Sequence, residues 1–163
     1  MAENAVPSSS MVAASLRRLE ERGLILREGR RRCLPGFTGS MPVPILGDIA
    51  AGEPLMAAEH IEGYLQVRPE LAKSRNLFAL KVRGESMIGA GILDGDTILL
   101  EETSTVDDGE IAAVWLEDAA TVKRVYRERD CIRLQPENDR MEPIYTRECT
   151  ILGKVIGLVR NYE

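Results

Sequence analysis

Residues 96–127, DTILLEETSTVDDGEIAAVWLEDAATVKRVYR, decide the fold class. The stretch holds three short runs rich in Val, Ile and Leu, with turn-forming Asp and Gly between them. Runs of this kind, bounded by turn residues, are typical of β-strands. No long amphipathic helix is predicted beyond them, so we predict a mainly β domain over residues 43–163. Its other strand-like runs are 43–49, 60–67, 76–82, 131–136 and 149–159.

The segment before this domain predicts one helix and one hairpin. In SSSMVAASLRRLEERG (8–23), apolar residues recur at helical spacing and a serine can cap the start. Gly23 suits the helix end. Two strand-like runs around Glu28-Gly29 predict a hairpin. Because a helix followed by a basic hairpin is the second half of a winged helix-turn-helix, we predict a partial domain of that kind over residues 1–34.

Residues 35–42 are predicted to be a linker, since they mix Pro, Gly and Ser with little periodicity. A winged domain normally has two further helices before its recognition helix, and few residues precede the serines of this chain. The sequence alone therefore predicts a small, truncated head, or a true start upstream of Met1.

Charge is distributed unevenly along the 163 residues. Residues 1–34 hold seven arginines and four glutamates, a net charge of +3. Because the whole chain has a net charge of −5, the remaining residues carry −8. A basic N-terminal segment before an acidic remainder indicates that only the N-terminal segment binds an anionic partner such as nucleic acid. A solvated helix face followed by a basic turn accounts for the charge equally well.

The composition excludes several classes of protein. With 44% hydrophobic and 29% charged residues, the chain is typical of a soluble globular protein. No apolar run approaches the roughly 20 residues of a membrane helix, and no signal peptide is predicted, so we expect a cytoplasmic protein with no membrane partner. The scattered Cys33, Cys131 and Cys149 predict neither disulfides nor a zinc site.

The segment VRGESMIGAGILDGD (82–96) holds the strongest nucleophile candidate, Ser86. A serine hydroxyl is weakly nucleophilic until a base takes its proton, and the usual base is histidine. The one histidine, His60, lies in an ordinary strand-like run and is predicted to be structural. A lysine can serve instead if burial keeps its amine neutral.

Four lysines are candidates for that base. Lys73 lies in a polar segment, and Lys81 alternates outward from its strand. Lys123, flanked by Val122 and Val125, and Lys154 lie among apolar residues. The residues by themselves do not separate these last two.

Six segments of the chain, in order, resemble the LexA family of self-cleaving repressors, which is grouped with the signal-peptidase-like Ser-Lys peptidases. The resemblance covers residues 8–160. Each motif alone is weak, because a serine can cap a turn, a lysine can be a solvated charge and Ala-Gly can be a plain turn. Their shared order and spacing make the resemblance specific. The segments are SSSMVAASLRRLEERGLI (8–25), DIAAGEPLMAAEHIEGYLQV (48–67), GESMIGAGILDGD (84–96), ATVKRV (120–125), LQPENDRMEPI (134–144) and GKVIGLVRN (153–161).

The resemblance implies a self-cleaving site. Ser86 would be the nucleophile, Lys123 the general base, and Ala51-Gly52 the scissile pair. Ser86 lies 35 residues after Ala51, and Lys123 lies 37 residues after Ser86. The oxyanion donors would be backbone N–H groups near Glu85 and Ser86.

The resemblance also implies partners. They are a palindromic operator DNA, a second copy bound through the C-terminal domain, and a RecA filament on single-stranded DNA that stimulates self-cleavage during DNA damage, in the SOS response. The segment KVIGLVRN (154–161) is predicted to contribute to the dimer surface. The predicted DNA contacts are Ser9, Ser10, Arg17, Arg18, Arg30 and Arg31.

Three alternatives remain open. The chain could be a UmuD-type accessory subunit of a DNA polymerase, with the same β domain and Ser-Lys pair but only a short N-terminal arm. It could be a truncated repressor with weak DNA binding. A signal peptidase would need a membrane anchor that the sequence lacks.

Asp94 and Asp96 fit a turn better than a metal loop, so we predict no metal and no cofactor.

Overall fold

The computed structural model of the chain describes residues 9–28, 31–33, 40–47, 55–57, 60–72 and 75–162. Contacts between residues divide the chain into two units, 1–41 and 42–163. A two-stranded sheet belongs to the first unit, and a nine-stranded sheet dominates the second. The mainly β fold class predicted from the sequence is confirmed.

The first unit contains a helix and an antiparallel hairpin, as predicted. Helix α1 spans Ser9–Glu21, and strands β1 (Leu26–Glu28) and β2 (Arg31–Cys33) pair with Glu28 opposite Arg31. Gly23 ends the helix with a φ of +67°, a conformation that glycine adopts without strain. Ser9 and Ser10, two of the three serines predicted as caps, lie within α1, and the third, Ser8, lies outside the described residues.

The apolar face predicted for α1 is largely solvent-exposed within the part of the chain that the structure describes. Val12 and Leu19 are 42% and 37% exposed, and no residue of the helix is buried. An ion pair of 2.6 Å between Arg32 on β2 and Glu20 on α1 connects hairpin and helix. Both side chains are partly exposed, so the pair contributes little to stability.

The second unit is one mixed sheet. Its order is β10-β9-β8-β7-β11-β6-β5-β3-β4, and the parallel pair β3-β5 is the exception among antiparallel pairings with a described register. A short helix α2 (Pro69–Ala72) follows β4. The strands are β3 (Met41–Leu46), β4 (Ile61–Val67), β5 (Leu77–Lys81), β6 (Thr97–Glu102), β7 (Ile111–Leu116), β8 (Ala119–Arg127), β9 (Ile132–Gln135), β10 (Ile144–Thr146) and β11 (Thr150–Val159).

Strand β3 begins at Met41, so the last two residues of the predicted linker 35–42 belong to a strand. The cause is burial, since Val43 and Leu46 of this strand are 3% and 1% exposed. The rest of the predicted linker before Ser40 lies outside the described residues.

The centre of the sheet carries the core. Phe78 on β5, Leu100 on β6 and Ala113 on β7 are fully buried in one cluster. A second cluster, which includes Val125 and Leu134, packs further along the sheet toward β9. The sheet is therefore rigid where β5 and β8 present residues to the loops at its edge.

The segment 82–96, here called the nucleophile loop, connects β5 to β6. The backbone N–H of Val82 donates to Asp96 O at 2.8 Å, and that of Gly95 donates to Val82 O at 2.9 Å. Asp94 accepts from the Gly84 N–H at 2.7 Å. These bonds form the turn that the sequence predicted for the two aspartates.

Asp96 has a second role that links the loop to the end of β11. Its carboxylate is 1% exposed and accepts two hydrogen bonds from the Arg160 guanidinium, each at 2.7 Å. The bond to Arg160 holds the pKa of Asp96 below its ordinary value, against the opposing effect of burial. No described helix is long and apolar enough to cross a membrane.

Candidate active site

Ser86 lies in the nucleophile loop, five residues after β5 ends. The next residue, Met87, is 2% exposed and packs in the core cluster, and a 3-10 turn over Ile88–Ala90 follows. Because Met87 anchors the loop in the core, the half-buried Ser86 is held in place beside the sheet.

Lys123 lies opposite Ala112 in the register of β8 with β7. Its Nζ is 3.0 Å from Ser86 Oγ, across 37 residues of sequence. Lys123 is only 7% exposed, and burial lowers the pKa of its amine below the ordinary value. The pairing of Ser86 with Lys123 that the resemblance implied is therefore present as a direct contact.

The other two contacts of the amine orient it. Nζ donates to Thr121 Oγ1 at 2.7 Å and to the Val122 carbonyl at 3.0 Å. A neutral amine has two N–H bonds and one lone pair. With both N–H bonds directed at these acceptors, the lone pair faces Ser86 Oγ and can receive its proton.

Lys154, the alternative that the sequence left open, has a different environment. Its ammonium forms an ion pair with Glu110, and its side chain is 39% exposed. The hydrogen bond to Glu110 raises the pKa of Lys154 above the ordinary value. A lysine held charged in this way cannot accept a proton near neutral pH, so the geometry favours Lys123 as the base.

A groove of about 510 Å³ opens beside Ser86. Its walls include Leu46 and Gly47, from the end of β3, and Trp115 from β7. The predicted scissile residues Ala51 and Gly52 lie outside the described residues.

The described residues nearest the predicted scissile pair are Gly47 before it and Leu55 after it. Gly47, four residues before Ala51, lines the groove. Leu55, three residues after Gly52, packs against the core cluster that contains Met87. Gly47 and Leu55 thus flank the predicted scissile pair in the sequence, the first lining the groove and the second packed on the core.

Asn138 is a contributor that the sequence analysis missed. Its side-chain amide donates to the Glu85 carbonyl at 2.9 Å, immediately before Ser86. The contact joins residues 53 positions apart. The segment LQPENDRMEPI (134–144) carried the resemblance, but nothing in it pointed to this particular residue.

The predicted DNA contacts fall in the first unit. Ser9, Ser10, Arg17 and Arg18 lie on α1 and are solvent-exposed. Arg31 begins β2, and Arg30 lies outside the described residues. Their role in binding DNA stays a prediction.

His60 precedes β4 and is 6% exposed. Its carbonyl accepts the Gly47 N–H at 2.7 Å, which connects the two ends of the segment that leaves and re-enters the sheet. This is a main-chain contact, and the structural role predicted for the His60 side chain stays a prediction.

Comparisons with known proteins point to one family. The family model for S24-like peptidases matches residues 44–156. A LexA repressor of Clostridium tetani is 43% identical, over 95% of this chain and 82% of that protein. LexA repressors of Geobacillus kaustophilus and Shouchella clausii are 45% and 46% identical over 96% and 94% of this chain, and over 82% and 81% of their own lengths. The chain therefore belongs to the LexA repressor family, whose S24-type domain is a self-cleaving serine peptidase.

Proposed function

We propose that this chain represses the genes of the SOS response and inactivates itself by cutting between Ala51 and Gly52. Ser86 is the nucleophile and Lys123 the general base. The observation that carries the proposal is the 3.0 Å contact between Lys123 Nζ and Ser86 Oγ, made by a buried amine that also contacts the Thr121 hydroxyl and the Val122 carbonyl.

The proposed reaction has two stages. Ser86 Oγ attacks the carbonyl carbon of Ala51 while its proton passes to Lys123 Nζ. Collapse of the tetrahedral intermediate breaks the bond to the Gly52 nitrogen, which receives the proton from Lys123. Water then hydrolyses the Ser86 ester with Lys123 again as base, and fragments 1–51 and 52–163 result.

Docking of the cleavage segment couples conformation to chemistry. The segment that enters the groove excludes water from Lys123, and desolvation favours the neutral amine. A partner that stabilises the docked segment therefore accelerates cutting without adding a catalytic group. We propose that the RecA filament on single-stranded DNA is that partner.

The DNA-binding part of the proposal rests on the first unit. The exposed face of α1 with Arg17 and Arg18 would enter the major groove of a palindromic operator, and the hairpin β1-β2 would contact the phosphates. A homodimer formed through the C-terminal domain would present two such heads. Leu158 and Val159 near the end of β11, 40% and 39% exposed, suit such an interface.

The test is self-cleavage of the pure chain as pH rises. Because burial lowers the pKa of Lys123, the rate should increase about tenfold per pH unit and level off below the ordinary lysine value of 10.5. Fragments 1–51 and 52–163 are identified by mass. Ser86→Ala should give neither fragment, and Gly52→Asp should block entry to the groove. Equal cutting by wild type and Ser86→Ala would refute the mechanism.

The UmuD-type alternative is tested separately. A gel shift with a palindromic operator should show binding that Arg17→Ala weakens. A chain that cuts itself but binds no operator would fit the accessory-subunit reading.

A further inference from the structure

Asn138 follows β9, and its side chain makes two hydrogen bonds. The amide nitrogen donates to the Glu85 carbonyl at 2.9 Å, and the amide oxygen accepts the Arg140 N–H at 3.0 Å. Since Arg140 N–H can only donate and the Glu85 carbonyl can only accept, the two partners fix which end of the amide faces which.

The bond to Glu85 acts on the peptide unit that ends at Ser86. The Glu85 carbonyl and the Ser86 N–H belong to one planar trans peptide and point in opposite directions. A donor that holds the carbonyl therefore also sets the direction of the Ser86 N–H. The family resemblance implies that this N–H is one of the donors to the oxyanion that forms on Ala51 during the proposed reaction.

A second bond holds the other side of Ser86. The Gly89 N–H donates to the Glu137 carbonyl at 2.7 Å. A Cβ on residue 89 would lie 2.8 Å from that same oxygen, so only glycine permits the approach. Residues 137 and 138 thus hydrogen-bond to the nucleophile loop at two positions, one residue before Ser86 and three residues after it.

The same segment is tied to the strand of the general base. Arg124, next to Lys123 on β8, forms an ion pair with Glu137 and donates to the Gly109 carbonyl at 2.6 Å. Base, nucleophile and the 137–138 segment are therefore held in one connected arrangement.

We propose that Asn138 is a positioning residue for self-cleavage, whose side-chain amide aims the Ser86 backbone N–H at the developing oxyanion. The inference rests on the proposed function, since it assigns Asn138 a part in that reaction. Preorganised donors of this kind stabilise transition-state charge because they need no reorientation during the reaction.

The decisive variant is Asn138→Asp. Aspartate keeps an oxygen for the Arg140 N–H, but at alkaline pH it has no hydrogen to donate to the Glu85 carbonyl. Self-cleavage at pH 9.5 should fall at least about tenfold, part of the 10²–10³-fold typical of a lost oxyanion donor. A role limited to shaping the turn at Arg140 predicts no loss, and a rate within twofold of wild type would overturn the proposal.

Two further variants control for charge and folding. Asn76→Asp makes the same chemical change at the opposite end of β5, where Asn76 is exposed, and should cut at the wild-type rate. Asn138→Ala adds no charge, also loses the donor to the Glu85 carbonyl, and should likewise be at least about tenfold slower than wild type. Because the base is unchanged in Asn138→Ala, the midpoint of its pH profile should coincide with that of wild type. Thermal unfolding identifies which variant is folded, and either folded variant at position 138 decides the question.

A second readout separates aiming from docking. A small alkyl fluorophosphonate reacts with Ser86 without needing the cleavage segment; a bond from Oγ to phosphorus forms, and fluoride and the hydroxyl proton leave. Labelling, followed by mass, should slow in Asn138→Asp in parallel with self-cleavage. Wild-type labelling with slow self-cleavage would show that Asn138 acts on docking, and would overturn the proposal. Cutting by a parallel Ser86→Ala sample would instead refute the proposed function.

Discussion

Two lysines in the same row of the sheet differ in every property that a catalytic base requires. Lys123 on β8 and Lys154 on β11 are both register partners of Ala112 on β7. Lys123 is 7% exposed and contacts two hydroxyls and a carbonyl. Lys154 is paired with the Glu110 carboxylate. Burial lowers the pKa of one amine, and the carboxylate raises that of the other.

The difference shows what makes a lysine reactive. Both lysines lie on strands inside the sheet and among apolar neighbours, so this position cannot determine which of them acts as a base. The partner decides it: a carboxylate stabilises the ammonium, whereas neutral oxygens in a dry site leave the amine free to lose its proton.

The largest effect expected is from removing each lysine in turn. Lys123→Ala should slow self-cleavage by at least about a thousandfold, because nucleophile and base act as a unit. Lys154→Ala, the matched control, should cut within about twofold of wild type. Rates are taken from the appearance of fragments 1–51 and 52–163 at alkaline pH. The reverse pattern would make Lys154 the base and invalidate the comparison.

A smaller effect is expected from the hydroxyl beside Lys123. Thr121→Val keeps the shape of the side chain and removes the acceptor 2.7 Å from Nζ. Loss of a hydrogen bond of about 1.5 kcal/mol predicts self-cleavage roughly tenfold slower, and Thr121→Ser should restore most of it. If Thr121→Val cuts normally, burial alone prepares Lys123 and its orientation by Thr121 is unnecessary.

The smallest effect is expected from Glu110→Gln, which removes the partner of Lys154. Both side chains are partly exposed and screened by solvent, so unfolding in urea at pH 7 should show only a slightly lower midpoint, with self-cleavage unchanged. The hydrogen bond to Lys154 lowers the pKa of Glu110.

The stabilisation from Glu110 is therefore complete above the ordinary glutamate value and is lost as pH falls through the lowered one. The difference between wild type and Glu110→Gln should accordingly shrink as the pH falls below the ordinary glutamate value, and vanish in acid solution in which Glu110 is protonated. A difference in stability that persists there would mean that the carboxylate acts otherwise than through its charge.

Local patterns predicted the helix, the hairpin and the strands other than β10, because each depends on residues a few positions apart. The short strand β10 was not predicted. Ser86 was identified from the turn residues around it, and Lys123 and Lys154 from the apolar residues around them. Separating these lysines by residue properties was not possible, since the Glu110 that neutralises Lys154 lies 44 residues away. The contact of Asn138 with Glu85 and that of Arg160 with Asp96 were missed for the same reason: both join residues more than 50 positions apart, and no short motif records them.

Because of strand β3, hydrolysis of the proposed bond does not by itself release the N-terminal fragment from the rest of the protein. The strand precedes Ala51, so a molecule hydrolysed at the proposed bond keeps β3 on the fragment that carries α1. Ile45 and Leu46 pair with β5 in the sheet. Removing β3 from the sheet would expose Val43 and Leu46 to water, at a cost of about 1.5–3 kcal/mol each. We therefore expect the two fragments to stay paired through β3 and β5 after the proposed cut, and repression to end only when β3 separates from the sheet.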